Sequence, residues 1–431
     1  MARKMKDSGI EWIGEIPEGW EIRKIKNNFM IYAGATPKSE KTEYWDGGIP
    51  WITPADFKTT DKYVSYGRKS LTALGYDSCG TTLVPTGSII FSKRAPVGSV
   101  VIAKNALCTN QGCLACIPND AVNSTYFYYC MSIFTEQFEL VSAGTTFKEI
   151  AASTFASFLL PCPPLSQQNE IVNFLDKESS RIDSMLSKTR SSIEEYKKLK
   201  QAVITQAVTK GVRGEREMKD SGVKWIGEIP KEWGRTKIKM IASFFNGDRT
   251  SRYPQPSDFV DAGVAFLTSR NIDSDEVDLS ETKYITDDKY KSLSGAKIQV
   301  DDIIFCLRGS VGKCAINRTL SCGTVASSLA TIRPKDIYPK YLLYFLLSNI
   351  ASTQTTIFMN GTCAANLSAE NVGNYYITLP NSAEQKEIAD HLDAKCAEID
   401  KLIAKKEQLV KELESYKKSL IYEVVTGKRE V

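Results

Sequence analysis

The chain has 431 residues but only one histidine, His391, and this scarcity excludes several kinds of catalytic site. Sites that need two or more imidazoles, including histidine-rich zinc centres, are excluded. The sequence also lacks a Gly-x-x-x-x-Gly-Lys-Ser/Thr phosphate loop and the Asn-Pro-Pro-aromatic loop that adenine chemistry would need. His391 itself aligns with Phe174 in the repeat described below, which favours a structural role. These absences argue against an enzyme that acts alone.

Long apolar runs are absent as well. The longest apolar cluster, residues 341–347, is far too short to span a bilayer, and no apolar stretch follows the basic residues at the start. We therefore expect a soluble, cytoplasmic protein with no membrane partner. Eleven cysteines, an odd number, favour reduced and mostly buried thiols over a disulfide framework.

Cys108, Cys113 and Cys116 form the tightest cysteine cluster, but they do not make up a complete set of metal ligands. A zinc site needs a fourth ligand nearby. In addition, Cys113 and Cys116 lie three positions apart in a predicted strand, so their side chains point to opposite faces. The sequence therefore predicts no metal ion on this chain.

A tandem duplication dominates the sequence. Residues 5–26 recur as residues 218–239 with 15 of 22 positions identical, and Ile89-Ile-Phe-Ser-Lys-Arg94 recurs as Ile303-Ile-Phe-Cys-Leu-Arg308. The middles of the two copies, residues 27–86 and 240–300, share little. Either these middles are relaxed loops that diverged after duplication, or they recognise different ligands on a common frame.

Each copy ends in a predicted long helix. Residues 166–209 contain no proline or glycine, and apolar residues recur near heptad spacing in this stretch and again from Ile399 to Leu420. Such narrow stripes favour a coiled-coil seam. A helix of ~40 residues is about 60 Å long, whereas the linker 210–217 reaches at most about 30 Å. The second copy must therefore start near the far end of the first helix, which predicts an antiparallel helix pair related by a pseudo-twofold axis.

The remaining parts of each copy show alternating short β-branched runs and helical stretches, typical of an α+β fold. Strands are predicted at 88–91, 99–103, 302–307 and 326–332, and helices near 124–140 and 339–352. We therefore expect two tandem mixed α/β recognition domains, 1–165 and 213–381, joined by two long helical spacers, 166–212 and 382–431.

Polar, basic and aromatic residues cluster in the predicted turns of both copies, and these residue types hydrogen-bond phosphates and base edges or stack on bases. The net charge is only +4, so any nucleic-acid surface must be local. The candidate DNA-contacting residues are Thr36, Lys38, Lys41, Tyr44, Trp45, Lys93, Arg94, Asn110, Gln111, Lys148, Arg249, Arg252, Tyr253, Ser269, Arg270, Asn271 and Arg308.

Several of these motifs together resemble one known family. The segments are Ile13-Gly-Glu-Ile-Pro-Glu-Gly-Trp20, Gly34-Ala-Thr-Pro-Lys38, Ile49-Pro-Trp-Ile-Thr53 and Leu160-Pro-Cys-Pro-Pro-Leu-Ser-Gln-Gln-Asn-Glu-Ile171. They look like the DNA-specificity subunit of type I restriction-modification systems, and the second copy repeats the pattern. The resemblance implies a non-catalytic subunit that reads a bipartite site in double-stranded DNA with two target-recognition domains.

The resemblance also implies partners. Two modification (methyltransferase) subunits would dock on the helical regions, and two restriction (motor-nuclease) subunits would complete a host-defence complex. No cofactor is then expected on this chain, because S-adenosylmethionine, ATP and magnesium would reside on the partners. Two alternatives remain open: a coiled-coil scaffold or adaptor without a DNA role, which predicts no sequence-dependent DNA affinity, and an enzyme acting alone.

Overall fold

A computed structural model describes residues 3–57, 61–94, 96–144, 148–272, 275–359 and 366–431. The chain divides into two compact units. Unit 1 consists of Met1–Thr189 and Gln408–Val431, and unit 2 of Arg190–Glu407. Both long helices cross the boundary, so each unit contains one segment of either helix.

Unit 1 is built from short strands and helices that precede the first long helix. Its strands are β1 (Met5–Asp7), β2 (Glu15–Pro17), β3 (Glu21–Lys24), β4 (Phe29–Ala33), β5 (Trp45–Ile52), β6 (Tyr63–Val64), β7 (Lys69–Leu71), β8 (Ile89–Ser92), β9 (Val100–Ala103), β10 (Cys108–Thr109), β11 (Cys113–Pro118) and β12 (Leu159–Cys162). Its helices are α1 (Ile25–Asn28), α2 (Ala73–Asp77), α3 (Ser124–Ile133), α4 (Thr135–Leu140), α5 (Ala152–Ser157) and the long α6 (Leu165–Lys210). Short 3-10 turns lie at Thr42–Tyr44 and Pro54–Asp56.

Unit 2 repeats this order. Its strands are β13 (Met218–Asp220), β14 (Glu228–Pro230), β15 (Gly234–Lys237), β16 (Ala242–Asn246), β17 (Phe259–Val260), β18 (Val264–Leu267), β19 (Lys283–Ile285), β20 (Ile303–Cys306), β21 (Cys314–Ile316), β22 (Gly323–Val325), β23 (Leu329–Pro334) and β24 (Tyr376–Leu379). Its helices are α7 (Asp287–Ser292), α8 (Pro339–Leu347), α9 (Asn349–Phe358), α10 (Ala369–Gly373) and the long α11 (Ser382–Val425), with 3-10 turns at Ile238–Met240, Pro256–Asp258 and Ser269–Asn271.

Two sheets form the centre of each unit. In unit 1 a sheet of order β4-β11-β8-β9-β6 lies beside a sheet of order β10-β5-β7, and in unit 2 the orders are β16-β23-β20-β21 and β17-β19-β18-β22. The pairs β5/β10 and β18/β22 are parallel. Small antiparallel ribbons, β1-β2 and β3-β12 in unit 1 and β13-β14 and β15-β24 in unit 2, complete the frame.

The central strands are buried on both faces, which explains their unbroken apolar sequence. Along β8, Ile89 and Phe91 pack into the core with helices α3 to α5, whereas Ile90 packs into a second core on the opposite face. The expected opposition of Cys113 and Cys116 is confirmed, because Cys113 lies in the second core and Cys116 in the first.

The predicted long helices are confirmed as α6 and α11, with 46 and 44 residues. Prolines lie just before each helix, and glycines with positive φ end them: Gly211 (φ 79°) follows α6 and Gly427 (φ 71°) follows α11. A positive φ favours glycine because it has no Cβ.

Within each unit the two helix segments run antiparallel, as expected. In unit 2, Lys406 lies over the ring of Tyr196 at 5.7 Å and Asp400 pairs with Lys200 at 2.8 Å, so that numbers fall on one helix as they rise on the other. In unit 1, Leu175 and Ile182 share a core with Leu420 and Val424.

Some predicted element boundaries were wrong. The helical stretch 124–140 is divided into α3 and α4 at Phe134, and the stretch 339–352 is divided into α8 and α9 at Ser348, with α9 continuing to Phe358. The strand predicted at 326–332 begins only at Leu329. Residues 326–328 instead form a turn, in which Ala326 N–H donates to Leu267 O at 2.8 Å and Ser328 O accepts from Leu307 N–H at 2.9 Å. Long-range hydrogen bonds therefore override the local β propensity of this segment.

Candidate nucleic-acid interface

In unit 1, three loops that are far apart in sequence meet at one edge of the small sheet. Strands β5 and β10 are parallel, so the loops that follow them leave the sheet at the same edge. Asn110 N–H donates to Ile52 O at 3.0 Å across these ends. The loop after β4 lies against them, because a Cβ on Gly34 would stand 2.2 Å from Asn110 O. Only glycine permits this close approach.

Predicted contact residues meet at this edge. The hydroxyl of Thr36 donates to the amide oxygen of Gln111, and Lys93 N–H donates to Gly112 O at 2.9 Å. The side-chain oxygen of Asn110 is less available for DNA, since it already accepts a hydrogen bond from Gly112 N–H at 3.0 Å. Thr36, Lys93, Asn110 and Gln111 thus come from three different loops and share one surface.

The basic residues of this surface are partly neutralised by one carboxylate. Lys93 Nζ lies 2.8 Å and Arg94 Nη1 3.5 Å from Glu149, whose side chain is 40% exposed. The hydrogen bond from Lys93 is the main reason that the pKa of Glu149 lies below its ordinary value. Lys148, next in sequence, lies 3.7 Å from Glu139. Lys93, Arg94 and Lys148 are therefore held in place by acids, which also reduce the positive charge of this surface.

The loop after β4 carries the other candidates of unit 1. Lys38 is exposed, and Lys41 lies 3.5 Å from Glu43 and 5.2 Å above the ring of Tyr44. Hydrogen bonding to Tyr44 is the largest cause of the raised pKa of Lys41. Trp45 packs edge-on against Trp51 with ring centroids 5.1 Å apart, so much of its role is structural.

Unit 2 uses the same architecture with different side chains. β18 and β22 end at one edge, and a Cβ on Gly247 would stand 2.2 Å from Ala326 O, as Gly34 does against Asn110. Arg249 follows and donates from Nε to Ser327 O at 3.2 Å. Arg308 N–H approaches Ser328 O at 3.3 Å. The two arginines therefore meet at the same turn.

These arginines carry like charges, and the neighbouring carboxylate of Asp248 is engaged by Thr250 and Ser294 instead. Both are exposed, and within the described ranges neither forms an ion pair with a carboxylate. Desolvation first, and the charge of Arg308 second, lower the pKa of Arg249. Two cations held together without an ion-paired carboxylate favour an anion such as phosphate, which would remove their mutual repulsion.

The other candidates of unit 2 lie in the loop after β16 and in the 3-10 turn Ser269–Asn271, and they differ in exposure. Arg252 and Arg270 are exposed, the latter 3.9 Å from Glu281, while Ser269 is half-buried. Tyr253 packs edge-on against Phe266 at 5.9 Å, which leaves it partly buried.

Asn271, predicted as a DNA contact, is buried and fully hydrogen-bonded within unit 2. The residue is only 1% exposed. Its side-chain oxygen accepts from Thr268 N–H at 2.8 Å, and its side-chain nitrogen donates to Asp278 O at 2.8 Å and to Thr282 Oγ1 at 3.1 Å. The amide caps the 3-10 turn from inside, so it has no capacity left for a base. The sequence pattern alone could not distinguish a capping asparagine from a base-reading one.

Sequence reasoning missed another basic and aromatic turn. Tyr66, Arg68 and Lys69 border a groove of about 260 Å³ together with Gly47 and other residues of β5. Tyr66 is 75% exposed. The aromatic-Gly-Arg-Lys sequence of this turn is the signal that could have found it, since the same residue types selected the other loops.

The described residues contain no group of three or more His, Cys, Asp or Glu side chains suited to a metal ion. The same parts of the chain contain no helix that is both long and apolar enough to cross a membrane.

Comparison with known proteins identifies the family. The model for the type I restriction modification DNA specificity domain matches twice, at residues 17–195 and 230–412. The chain belongs to this specificity family. The two matches coincide with the two copies of the duplication, and membership gives the chain a role in DNA sequence specificity.

Individual members of the family extend the likeness over most of the chain. The MjaIX specificity subunit of Methanocaldococcus jannaschii is 28% identical over 373 residues, which covers 85% of this chain and 84% of that protein. The EcoBI specificity subunit of Escherichia coli is 24% identical over 411 residues, covering 93% and 84%.

Solved structures share the fold at low sequence identity. A chain from a study of complex assembly and conformational transition of the type I restriction-modification system has a TM-score of 0.73, with 14% identity and coverage of 96% of this chain and 99% of that chain. The HsdS subunit of Thermoanaerobacter tengcongensis has a TM-score of 0.52, 14% identity and coverage of 96% and 98%.

Proposed function

We propose that this chain is a non-catalytic subunit that binds a bipartite DNA target, with one half-site read by each unit. The duplication supports this proposal, because it supplies two recognition surfaces on one type of frame. The contrast between the surfaces supports it further. Unit 1 combines Thr36, Gln111 and cations paired with acids, whereas unit 2 combines Arg249 and Arg308, for which the described residues supply no ion-paired acid.

The arginine pair of unit 2 is the observation that carries the DNA-binding role. Like charges at one turn destabilise the free protein, so an unneutralised pair favours a function that uses it. Phosphate oxygens accept charge-assisted hydrogen bonds from arginine, and neighbouring polar groups such as Ser269 can then reach base edges. The proposed contact set contains every predicted residue except Asn271.

We also propose that the helices recruit the partners, namely two methyltransferase subunits and two motor-nuclease subunits. Large apolar side chains on α6 and α11 stay exposed in this chain: Met185 (46%), Leu199 (48%), Leu409 (42%) and Tyr416 (49%). Exposed apolar residues on otherwise charged helices favour protein contacts. S-adenosylmethionine, ATP and magnesium would then bind to those partners, which supply the chemistry.

A domain exchange tests the two-reader proposal. Residues 27–160 are replaced by the corresponding residues of a relative with a different target, and methylated adenines are mapped across the genome in cells that carry the complete system. We expect one half of the recognition sequence to change while the other half and the spacing persist. A change in both halves, or in neither, would contradict the proposal. A matched exchange of residues 240–378 should alter the opposite half.

A further inference from the structure

Arg68 in unit 1 has an unusual combination of contacts. Its Nε lies 2.9 Å from Asp56 Oδ1, and its backbone N–H donates to the same oxygen at 3.1 Å. The Asp56 side chain is only 5% exposed, whereas that of Arg68 is 72% exposed. Within the described part of the chain, the two terminal nitrogens of Arg68 have no partner. The guanidinium is thus fixed through Nε, while its two terminal nitrogens are left to bind a ligand.

The carboxylate that holds Arg68 is itself fixed. Asp56 Oδ2 accepts from Thr53 N–H at 2.8 Å and from Thr53 Oγ1 at 2.7 Å, which closes a capping box around the 3-10 turn Pro54–Asp56. Burial alone would raise the pKa of Asp56, but these hydrogen bonds and those from Arg68 outweigh burial and lower it. All four acceptor positions of the carboxylate are therefore in use, and it stays ionised.

The backbone beside Arg68 is equally constrained. A Cβ on Gly67 would stand 2.3 Å from Trp51 O and 3.1 Å from Asp56 Oδ2, so the chain can pass here only as glycine. Since the position of the Cα and the direction of Nε are both fixed, the side chain has few rotamers left to lose on binding. Ordering it against a ligand therefore costs less entropy than for a free surface arginine.

Arg68 also lies beside the proposed DNA-contacting surface. The turn that contains Asp56 follows β5 at the edge where Asn110 and Gln111 follow β10, and Pro54 lies 3.1 Å from the Cβ position of Gly112. Tyr66, two residues before Arg68, borders the adjacent groove and is available for stacking. The same edge therefore carries amide, hydroxyl, aromatic and guanidinium groups.

We propose that Arg68 reads a guanine in the half-site of unit 1 and that Asp56 is its positioning residue. This inference rests on the proposed function. The outer edge of a guanidinium matches the O6 and N7 acceptors of guanine in the major groove, where two parallel hydrogen bonds form. Arginine also binds phosphate through two parallel hydrogen bonds. The two ligands differ in one measurable respect, because only a guanine contact makes the loss of affinity depend on the base at one position.

The test uses Arg68→Ala and Arg68→Lys in the complete methylation system, with genome-wide mapping of methylated adenine and DNA-binding titrations at several salt concentrations. We expect both variants to relax the recognition sequence at one guanine position of one half-site. Binding to the cognate site should fall roughly 5- to 100-fold relative to sites altered at that position. Asp56→Asn should relax the same position and no other, which a merely structural residue would not do.

Arg23 supplies the matched control, because its Nε is also held by a carboxylate, Glu21, at 2.7 Å, but that acid is 62% exposed. Arg23→Ala should leave the recognition sequence unchanged. If Arg68→Ala weakens binding equally at all sequences and Arg68→Lys restores it, Arg68 contacts phosphate and the guanine assignment is overturned. If the unmodified chain directs no sequence-specific methylation, the proposed function itself fails, and that result is visible before any variant is made.

Discussion

The equivalent tryptophans Trp20 and Trp233 of the two copies donate to different side chains on the long helices, and this difference yields a quantitative prediction. In unit 2, Glu384 is 1% exposed and accepts from Trp233 Nε1 at 2.9 Å and from Arg216 Nη2 at 2.6 Å, each on its own oxygen. In unit 1 the equivalent residue is Gln167, whose single Oε1 accepts from Trp20 Nε1 at 2.8 Å and from Arg3 Nη2 at 2.9 Å. The same pair of donors, a tryptophan and an arginine, is therefore satisfied by a carboxylate in unit 2 and by an amide in unit 1.

The magnitudes follow from these contacts. Glu384→Ala leaves a largely buried arginine, Arg216, with Glu232 and the carbonyl of Lys210, and leaves the Trp233 N–H without an acceptor. This loss should destabilise unit 2 by about 3–5 kcal/mol. Glu384→Gln should cost only about 1–2 kcal/mol, because both donors can share one amide oxygen, as they do in unit 1, while the charge-assisted part is lost. Gln167→Ala removes only neutral acceptors and should cost about 1–3 kcal/mol in unit 1.

Hydrogen exchange followed by mass spectrometry suits this test, since a chain of two units need not unfold in one step. Exchange protection should fall in peptides around β15, β24 and the start of α11 for the Glu384 variants, and around β3 and the start of α6 for Gln167→Ala. Equal losses for Glu384→Ala and Glu384→Gln would refute the reasoning, because they would mean that the charge of Glu384, rather than unsatisfied donors, determines its contribution to the stability of unit 2.

Two further outcomes are expected. Arg308→Ala should lower DNA affinity similarly at all sequences and reduce the slope of log affinity against log salt by about 1. The variant should be as stable as the parent or more stable, because it relieves repulsion of Arg249. Lys291→Ala, which removes an exposed cation of the same unit, is the control, and an unchanged slope for Arg308→Ala would contradict the assignment. Asp248 accepts four hydrogen bonds from Thr250 and Ser294, which outweigh burial and depress its pKa. A depressed pKa contributes stability above the unfolded value of ~3.9 that disappears as the pH falls below it. Urea titrations should therefore show Asp248→Asn less stable than the parent by about 2 kcal/mol at pH 7 and the gap closing below about pH 4, whereas a constant gap would argue against titration of this group.

Local sequence was a good guide wherever a periodic pattern acts over many residues. The heptad stripe and the absence of proline and glycine from residues 166–209 predicted α6 to within one residue at each end, and the second stripe predicted α11, which ends at Val425 inside the predicted spacer 382–431. The unbroken apolar runs predicted β8 and β20, because only strands buried on both faces tolerate such sequences. Predictions weakened where a segment is short, as at residues 326–328, because hydrogen bonds to distant residues then decide the conformation.

The interface was only partly accessible to sequence reasoning. Residue types selected Lys93, Gln111 and Arg308, but the same rule also selected Asn271, whose side chain is consumed by a cap, and overlooked Arg68. Type and spacing report what a side chain can bind. They do not report whether its hydrogen-bonding groups are already engaged, which depends on neighbours that are remote in sequence.

The sequence by itself determined the duplication, the helical spacers and the α+β class, because identity between copies and apolar periodicity are properties of the chain before it folds. Only the tertiary structure decided which loops meet. Parallel pairing of β5 with β10 and of β18 with β22 brings the ends of distant strands to one edge, and glycines at positions 34 and 247 allow a third loop to close on it. That convergence, together with the acids that pair with the cations of unit 1 and the absence of such ion pairs at Arg249 and Arg308 among the described residues, distinguishes one surface from the other.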